Sequence, residues 1–283
     1  MDINRILRET FIVEVEHREE LGSTNDRAAE RAKQGANRLP LLVIADRQTA
    51  GRGRGGNRWW TGSDSLAFSL LLESPAVEGK KDENMLGRQF NCPPNVLVQS
   101  NSRPNVLVQS NRRSNILVGL GAGVAVVESL KPLLGNVEIG ILWPNDVMAA
   151  GRKLAGILVE VLTDGRAVIG IGINTNNSMS DVPAELLRIA TTLLELSGKL
   201  QDHTEILIAF LNRMEEHIIT LKQAPAELAA RADALCLQRD KPIALQHGRK
   251  TIAGLCRGIA PDGALLLETS DGIRSFYSGT IIR

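Results

Sequence analysis

Three clusters of residues in this sequence have the types and spacing to act on an anionic ligand. Gln48-Thr49-Ala50-Gly51-Arg52-Gly53-Arg54-Gly55-Gly56-Asn57-Arg58-Trp59 sets four glycines among three arginines. Glycine lets backbone N–H groups approach a ligand closely, and each arginine can hold a carboxylate or phosphate through two donors. Trp143-Pro144-Asn145-Asp146 joins an amide and a carboxylate to an aromatic ring. Lys153 stands at the head of the apolar run Leu154-Ala155-Gly156-Ile157-Leu158, which fixes its amine near a sheet edge. All three tryptophans, Trp59, Trp60 and Trp143, fall in or beside these clusters. Together they suggest an apolar wall near an anion site, suited to an amphipathic ligand with a carboxylate. Taken singly, each cluster has an ordinary reading: a disordered RNA-binding tract, core tryptophans, or a solvated lysine at a strand end. Gly170-Ile171-Gly172-Ile173-Asn174 is equally weak alone, since glycines in strands also mark close backbone packing.

The elements that must position these residues are legible around them. Ser23-Thr24-Asn25 precedes a good helical body and then Gly35, which predicts a capped helix with a glycine stop. Leu41–Ala45 and Ser65–Leu72 read as buried strands joined by the glycine-arginine segment. Ile116–Leu134 reads as a buried helix, and Val137–Leu142 as a strand ending at the Trp143-Pro144-Asn145-Asp146 loop. Leu154–Leu162 and Ala167–Ile173 flank a Thr163-Asp164-Gly165-Arg166 hairpin turn. If Asp164 and Gly165 form a two-residue turn, Lys153 lies opposite Asn176 and near Gly172-Ile173-Asn174. Helix-period apolar positions run from Thr204 to about Ala234. From Leu237 onward, short strand-like runs separated by His-Gly, Pro-Asp-Gly and Ser-Asp-Gly predict a small antiparallel barrel. The domains so read are 1–235 and 236–283.

With 283 residues and 43% hydrophobic content, the chain can bury a sizeable core without metals or disulfides. A formal net charge of +1 gives no broad positive field for nonspecific binding to nucleic acid or anionic membranes. The first residues carry scattered charges and no apolar core of signal-peptide length. The apolar stretch Ile116–Val127 is broken by glycines and shorter than the roughly 18 residues of a membrane span. Three scattered cysteines, Cys92, Cys236 and Cys256, lack pairing or metal-ligand spacing, which fits a reducing cytoplasm. A tandem repeat with a period of ten residues runs from Asn91 to Leu120. It is too short for a solenoid unit and is expected to form a surface insertion of about residues 75–113 before the buried helix.

Ser23-Thr24-Asn25, QTAGRGRGGNRW, WPNDV, GRKLAGILVE and GIGINTN occur in the order and approximate spacing of the biotin protein ligase family, which the chain resembles over nearly its whole length. The segment Arg257–Glu268 also resembles that family's small terminal domain. The resemblance implies an α/β (α+β) fold of the class II synthetase-like biotin/lipoate ligase type. Its central mixed β-sheet with helices is followed by a C-terminal SH3-like β-barrel. It implies a ligase that joins biotin to AMP using ATP and Mg²⁺, then passes biotin to a lysine of the biotin carboxyl carrier protein of acetyl-CoA carboxylase or a related enzyme. Ser23, Thr24, Asn25 and Gln48 would lie at the biotin ring, and Arg52, Gly53 and Arg54 would fold over biotin and the reactive phosphate. Lys153 would sit where the biotin carboxylate meets the α-phosphate. Trp59, Asn145, Asp146 and Asn174 would serve the nucleotide side, with Asp146 toward magnesium. Lys153 and Arg54 are the expected catalytic pair, stabilising charge on the phosphoryl oxygens.

The sequence departs from the family pattern at three points. Leu142 stands where many members have lysine, and Gly55 and Asn57 stand where they have further arginines. The tandem repeat also lies outside the pattern. Because the chain begins almost directly at the catalytic motifs, no specific operator binding is expected, and no membrane association; oligomeric state, a homodimer included, stays open. Two competing readings are a lipoate ligase or related acyl transferase, and a nonenzymatic RNA-binding or scaffold protein using the RGRGG tract.

Overall fold

The computed structural model describes residues 1–60, 62–73, 106–178 and 186–282, without the side chains of 106–114. The first elements are α1 (Ile3–Glu9), β1 (Glu14–Leu21), α2 (Thr24–Lys33), β2 (Leu41–Gln48) and β3 (Leu66–Leu72). Then come α3 (Val106–Leu134), β4 (Ile139–Leu142), β5 (Asp146–Ala149), β6 (Arg152–Val161) and β7 (Ala167–Ile173). Helices α4 (Leu193–Ser197), α5 (His203–Gln223) and α6 (Pro225–Ala234) complete this part. Its seven strands form one mixed sheet in the order β1-β2-β3-β7-β6-β5-β4. Only β1 and β2 run parallel, and every other neighbour pair is antiparallel.

Period-two alternation divides the sheet into two working faces. Ile44, Phe68, Leu70, Ile169, Ile171 and Ile173 join the main core, which α3, α5 and α6 cover. On the opposite face, Leu41, Val43, Leu71 and Val168 pack against Ala28 and Ala32 of α2. Helix α2 is capped as its sequence predicts: the Ser23 side chain accepts from the Asp26 amide, and Gly35 adopts φ 81° just beyond the end.

Three expectations need correction. The hairpin between β6 and β7 is not a two-residue turn, because the Leu162 amide donates to Arg166 O and three residues lie between them. Gly165, at φ 87°, supplies the left-handed position that such a loop needs. The register therefore moves by one: Ala155 pairs with Ile173 and the Asn174 amide donates to Leu154 O at 2.9 Å, a register that does not set Lys153 opposite Asn176. Part of the repeat is also helix rather than loop: α3 begins at Val106 and takes in its third unit. The part of the expected insertion at 75–105, and Cys92, lie outside the described residues. The apolar stretch is also longer than Ile116–Val127: from Asn115 to Leu134 the helix is long and apolar enough to cross a membrane. In this fold it is a core helix, with Leu120, Val124 and Leu130 completely buried.

Beyond α6, strands β8 (Pro242–His247), β9 (Lys250–Ile259), β10 (Leu265–Thr269), β11 (Gly272–Phe276) and β12 (Thr280–Ile282) form an antiparallel sheet. Its order is β11-β10-β9-β8-β12, so the last strand returns to the side of the first. The predicted His-Gly, Pro-Asp-Gly and Ser-Asp-Gly segments all fall at its turns. Trp143 locks this sheet to the larger one. Its indole is 1% exposed and donates to Gly263 O at 3.1 Å, while its amide donates to Gln238 Oε1 at 3.0 Å.

Candidate active site

A cleft of about 830 Å³ opens on the sheet face not covered by α3, and residues from both sheets line it. Its floor comes from the strand alternation just described. On β7 the residues facing away from the core are Val168, Gly170 and Gly172, and Gly172 pairs with Gly156 of β6. These glycines are needed for the space they leave. A Cβ on Gly172 would overlap the Trp59 ring, and one on Gly170 would overlap the Asn25 amide. One on Gly156 would come within 2.9 Å of Trp59. The Gly-Ile-Gly-Ile pattern thus places isoleucines in the core and clears the opposite face for an aromatic ring and an amide.

One end of the cleft carries a buried polar network. Gln48 Oε1 accepts from the Thr24 amide at 2.8 Å and from Thr24 Oγ1 at 3.1 Å. Ser69 Oγ, on β3, lies 2.8 Å from Thr24 Oγ1 and 2.7 Å from Asn25 Oδ1. Asn25 Nδ2 donates to Glu160 Oε2 at 2.8 Å. Ser23, Thr24, Asn25 and Ser69 are all buried, so their hydrogen-bonding pattern is held before any ligand arrives.

The glycine-arginine segment forms a small hairpin at the cleft wall. The Trp59 amide donates to Gly51 O at 2.9 Å, and the Gly53 amide donates to Asn57 O at 2.7 Å. At its tip Arg54–Gly56 form a 3-10 turn. Arg52 pairs with Asp26 at 2.8 Å and with Glu160 at 2.5 Å. Arg54 is half-buried; desolvation lowers its pKa and nearby Asp146 partly offsets this, yet a guanidinium stays cationic at neutral pH.

At the other end, Lys153 Nζ meets Asp146 Oδ1 at 2.7 Å and stands 5.5 Å from the centre of the Trp59 ring. Asn145 exchanges hydrogen bonds with Ile157: its Nδ2 donates to Ile157 O at 3.0 Å, and its carbonyl accepts from the Ile157 amide at 2.9 Å. It borders the cleft while bracing the tight link into β5. Among the described residues no group of three or more His, Cys, Asp or Glu could hold a metal by itself. A Mg²⁺ ion beside Asp146 would draw its remaining ligands from phosphates and water, a common arrangement for this ion.

Ser23, Thr24, Asn25, Gln48, Arg52, Gly53, Arg54, Trp59, Asn145, Asp146 and Lys153 all line this one cleft. Asn174 does not; it is 6% exposed, and its side chain donates to Lys153 O at 3.5 Å, bracing the strand that carries the lysine. Trp143 borders the cleft with its indole buried, and Trp60 packs over Gly62 and Asn177 away from it, so Trp59 alone supplies the predicted aromatic wall. Ser69, Glu160 and the rim formed by Gln246 and Gly279–Ile282 were not anticipated. Glu160, at the end of an otherwise apolar strand, carried a readable signal; Ser69 in a leucine-rich strand carried almost none.

A family profile described as "Biotin/lipoate A/B protein ligase family" matches residues 19–90 and 104–176, and one described as "Biotin protein ligase C terminal domain" matches 240–283. The first match breaks off within the tandem repeat. The chain is 32% identical over 265 residues to the Mycobacterium tuberculosis biotin–[acetyl-CoA-carboxylase] ligase, covering 92% of this chain and 85% of that protein. It is 31% identical over 271 residues to the Bacillus subtilis bifunctional ligase/repressor BirA, covering 92% of this chain and 71% of that protein. Among solved structures it resembles the Aquifex aeolicus biotin protein ligase in complex with biotin and ATP. There the TM-score is 0.72 and the identity 28%, with 95% of this chain and 97% of that one covered. The fold and cleft thus define a ligase of the biotin/lipoate type, and the chain belongs to the biotin protein ligase family.

Proposed function

We propose that the chain joins biotin to AMP with release of pyrophosphate and then transfers biotin to a lysine of a biotin carboxyl carrier protein, as a cytoplasmic enzyme. The observation that carries this reading is the layout of the cleft: a preformed polar network at one end, a glycine floor beneath Trp59, and Lys153 with Arg54 at the other. The ring of biotin pairs with Ser23, Thr24, Asn25 and Gln48, and its carboxylate then reaches toward Lys153. Residues 236–283 form the second domain, whose strand β12 closes the rim.

In the first step a carboxylate oxygen attacks the α-phosphorus of ATP, forming an acyl–O–P bond as the bond to pyrophosphate breaks. Two anions must approach, and Lys153 and Arg54 lower that barrier by stabilising charge on the phosphoryl oxygens. Mg²⁺ bound near Asp146 would neutralise charge on the nucleotide phosphates. In the second step the neutral carrier lysine attacks the acyl carbon, an amide forms, AMP leaves and the amine loses a proton. Between the two steps the glycine-rich hairpin shields the mixed anhydride from water.

Incubating the purified protein with Mg-ATP and either biotin or lipoate tests this, followed by mass analysis of acyl-AMP and of a biotin carrier domain. Biotin-dependent adenylate and a biotinylated carrier are expected. Adenylate with lipoate alone would move the substrate to the other branch of the family.

A further inference from the structure

We infer that Glu160 is a positioning residue that latches the glycine-arginine hairpin to the cleft floor, an inference that rests on the ligase reading above. One carboxylate oxygen of Glu160 accepts from two sources: Asn25 Nδ2 at 2.8 Å from the buried network, and Arg52 Nη2 at 2.5 Å from the hairpin. Asn25 is 3% exposed, whereas the Arg52 side chain is 40% exposed. The carboxylate therefore joins a fixed part of the site to a solvent-facing one.

The contact to Asn25 is the shorter of two that set which way that amide faces, the other running from Nδ2 to Leu158 O at 3.4 Å. With Nδ2 turned to the carboxylate, Oδ1 is turned to Ser69 Oγ at 2.7 Å, and the Ser69 hydroxyl also borders Thr24. An ionised carboxylate can only accept, so it keeps Nδ2 as the donor at this contact and leaves Oδ1 to accept from the Ser69 hydroxyl. Strand geometry sets Glu160 apart from the reaction. Gly156, Leu158 and Glu160 share the cleft face of β6, while Lys153 lies at its far end, seven residues and roughly 20 Å away along the strand. Glu160 thus acts through Asn25 and Arg52 and touches no reacting atom. Because Arg52 holds Asp26 at 2.8 Å as well, the latch has a second, exposed contact outside the floor. The Glu160 contact is the one that ties loop closure to the state of the floor.

The test uses the full chain loaded with biotin and Mg-ATP, cleared of free ligand by rapid gel filtration, and followed for loss of the bound acyl-adenylate. In Glu160→Gln, first-turnover yield is expected to stay within about twofold of wild type while the adenylate is lost about tenfold faster, a change of ~1.4 kcal/mol. Arg52→Gln is expected to speed loss similarly, the double variant no further, and Asp26→Asn by less than about threefold. A general loss of packing would lower the melting temperature of Glu160→Gln; an unchanged melting temperature with faster loss marks the latch. Retention in Glu160→Gln equal to wild type would overturn the inference and leave the ligase reading intact. So would additive effects in the double variant, or Asp26→Asn matching Glu160→Gln. Wild type that forms no adenylate would refute the ligase reading itself, and the latch with it. If Glu160→Gln does not fold, Arg52→Gln decides alone, and wild-type retention in that variant overturns the latch.

Discussion

Lys153 and Arg54 approach the same end of the cleft by different routes. The amine is anchored on a strand and held by Asp146 at 2.7 Å, whereas the guanidinium sits at the tip of a glycine-rich hairpin. Anchored charge needs little rearrangement when negative charge develops on a phosphate, and this makes a preorganised cation effective. Lys153→Ala should therefore cut single-turnover adenylate formation by about 100-fold or more, with little change in thermal unfolding. Arg54→Ala should impair adenylate formation or retention in the same assay. Normal yield and retention in both variants would remove them from the reaction. Leu142, Gly55 and Asn57 add no further cation to the cleft, which makes Lys153 and Arg54 matter more.

At the scale of elements, β1 and α2 hold the first polar residues of the site through an ion cluster. Glu16 is 8% exposed and accepts from Arg18 at 3.0 Å, Arg27 at 2.7 Å and Arg31 at 2.6 Å. Burial alone would raise its pKa, but the three arginines outweigh burial and hold it at about 2, against an ordinary 4.5. A carboxyl depressed in the folded state contributes stability that is complete above the unfolded value and is lost as pH falls through the folded one. Glu16→Gln should thus cost about 1–3 kcal/mol at pH 7, measured by denaturant unfolding, and the gap to wild type should narrow from about pH 4.5 toward pH 2. An equal gap at pH 7 and pH 2.5 would assign the loss to packing instead. Strand β1 was not anticipated in the sequence because its residues, Glu-Val-Glu-His-Arg-Glu-Glu-Leu, are mostly charged. It is an edge strand whose charges pair with the next helix, so hydrophobic alternation does not mark it.

In the whole molecule, the terminal sheet contributes Gln246 and Gly279–Ile282 to the cleft rim and is fastened near Trp143. Gln238, 3% exposed, accepts from the Trp143 amide at 3.0 Å and from Cys236 Sγ at 3.5 Å. Gln238→Ala would leave the buried Trp143 N–H without its acceptor, at a cost of about 1–3 kcal/mol. A melting temperature several degrees lower is expected, together with weaker ATP use, because Asn145 and Asp146 follow directly in the chain. Lower stability with an unchanged KM for ATP would separate the fastening from the site.

The sequence by itself determined the family and the helices and strands with strong periodicity. It also placed the Ser-Thr-Asn cap, the arginine loop, the Trp-Pro-Asn-Asp turn and Lys153, because such signals are local in the chain. Only the tertiary structure decided that those segments meet in one cleft, that Asn174 braces the lysine's strand, and that Trp143 fastens the second sheet. The hairpin register was decided in the same way, by one loop residue that the dipeptide Asp-Gly does not reveal. Ser69 and Glu160 owe their places to cross-strand and loop contacts between residues tens of positions apart. Such contacts leave no periodicity in sequence, since each partner sits in a segment whose pattern is set by the core on its other face.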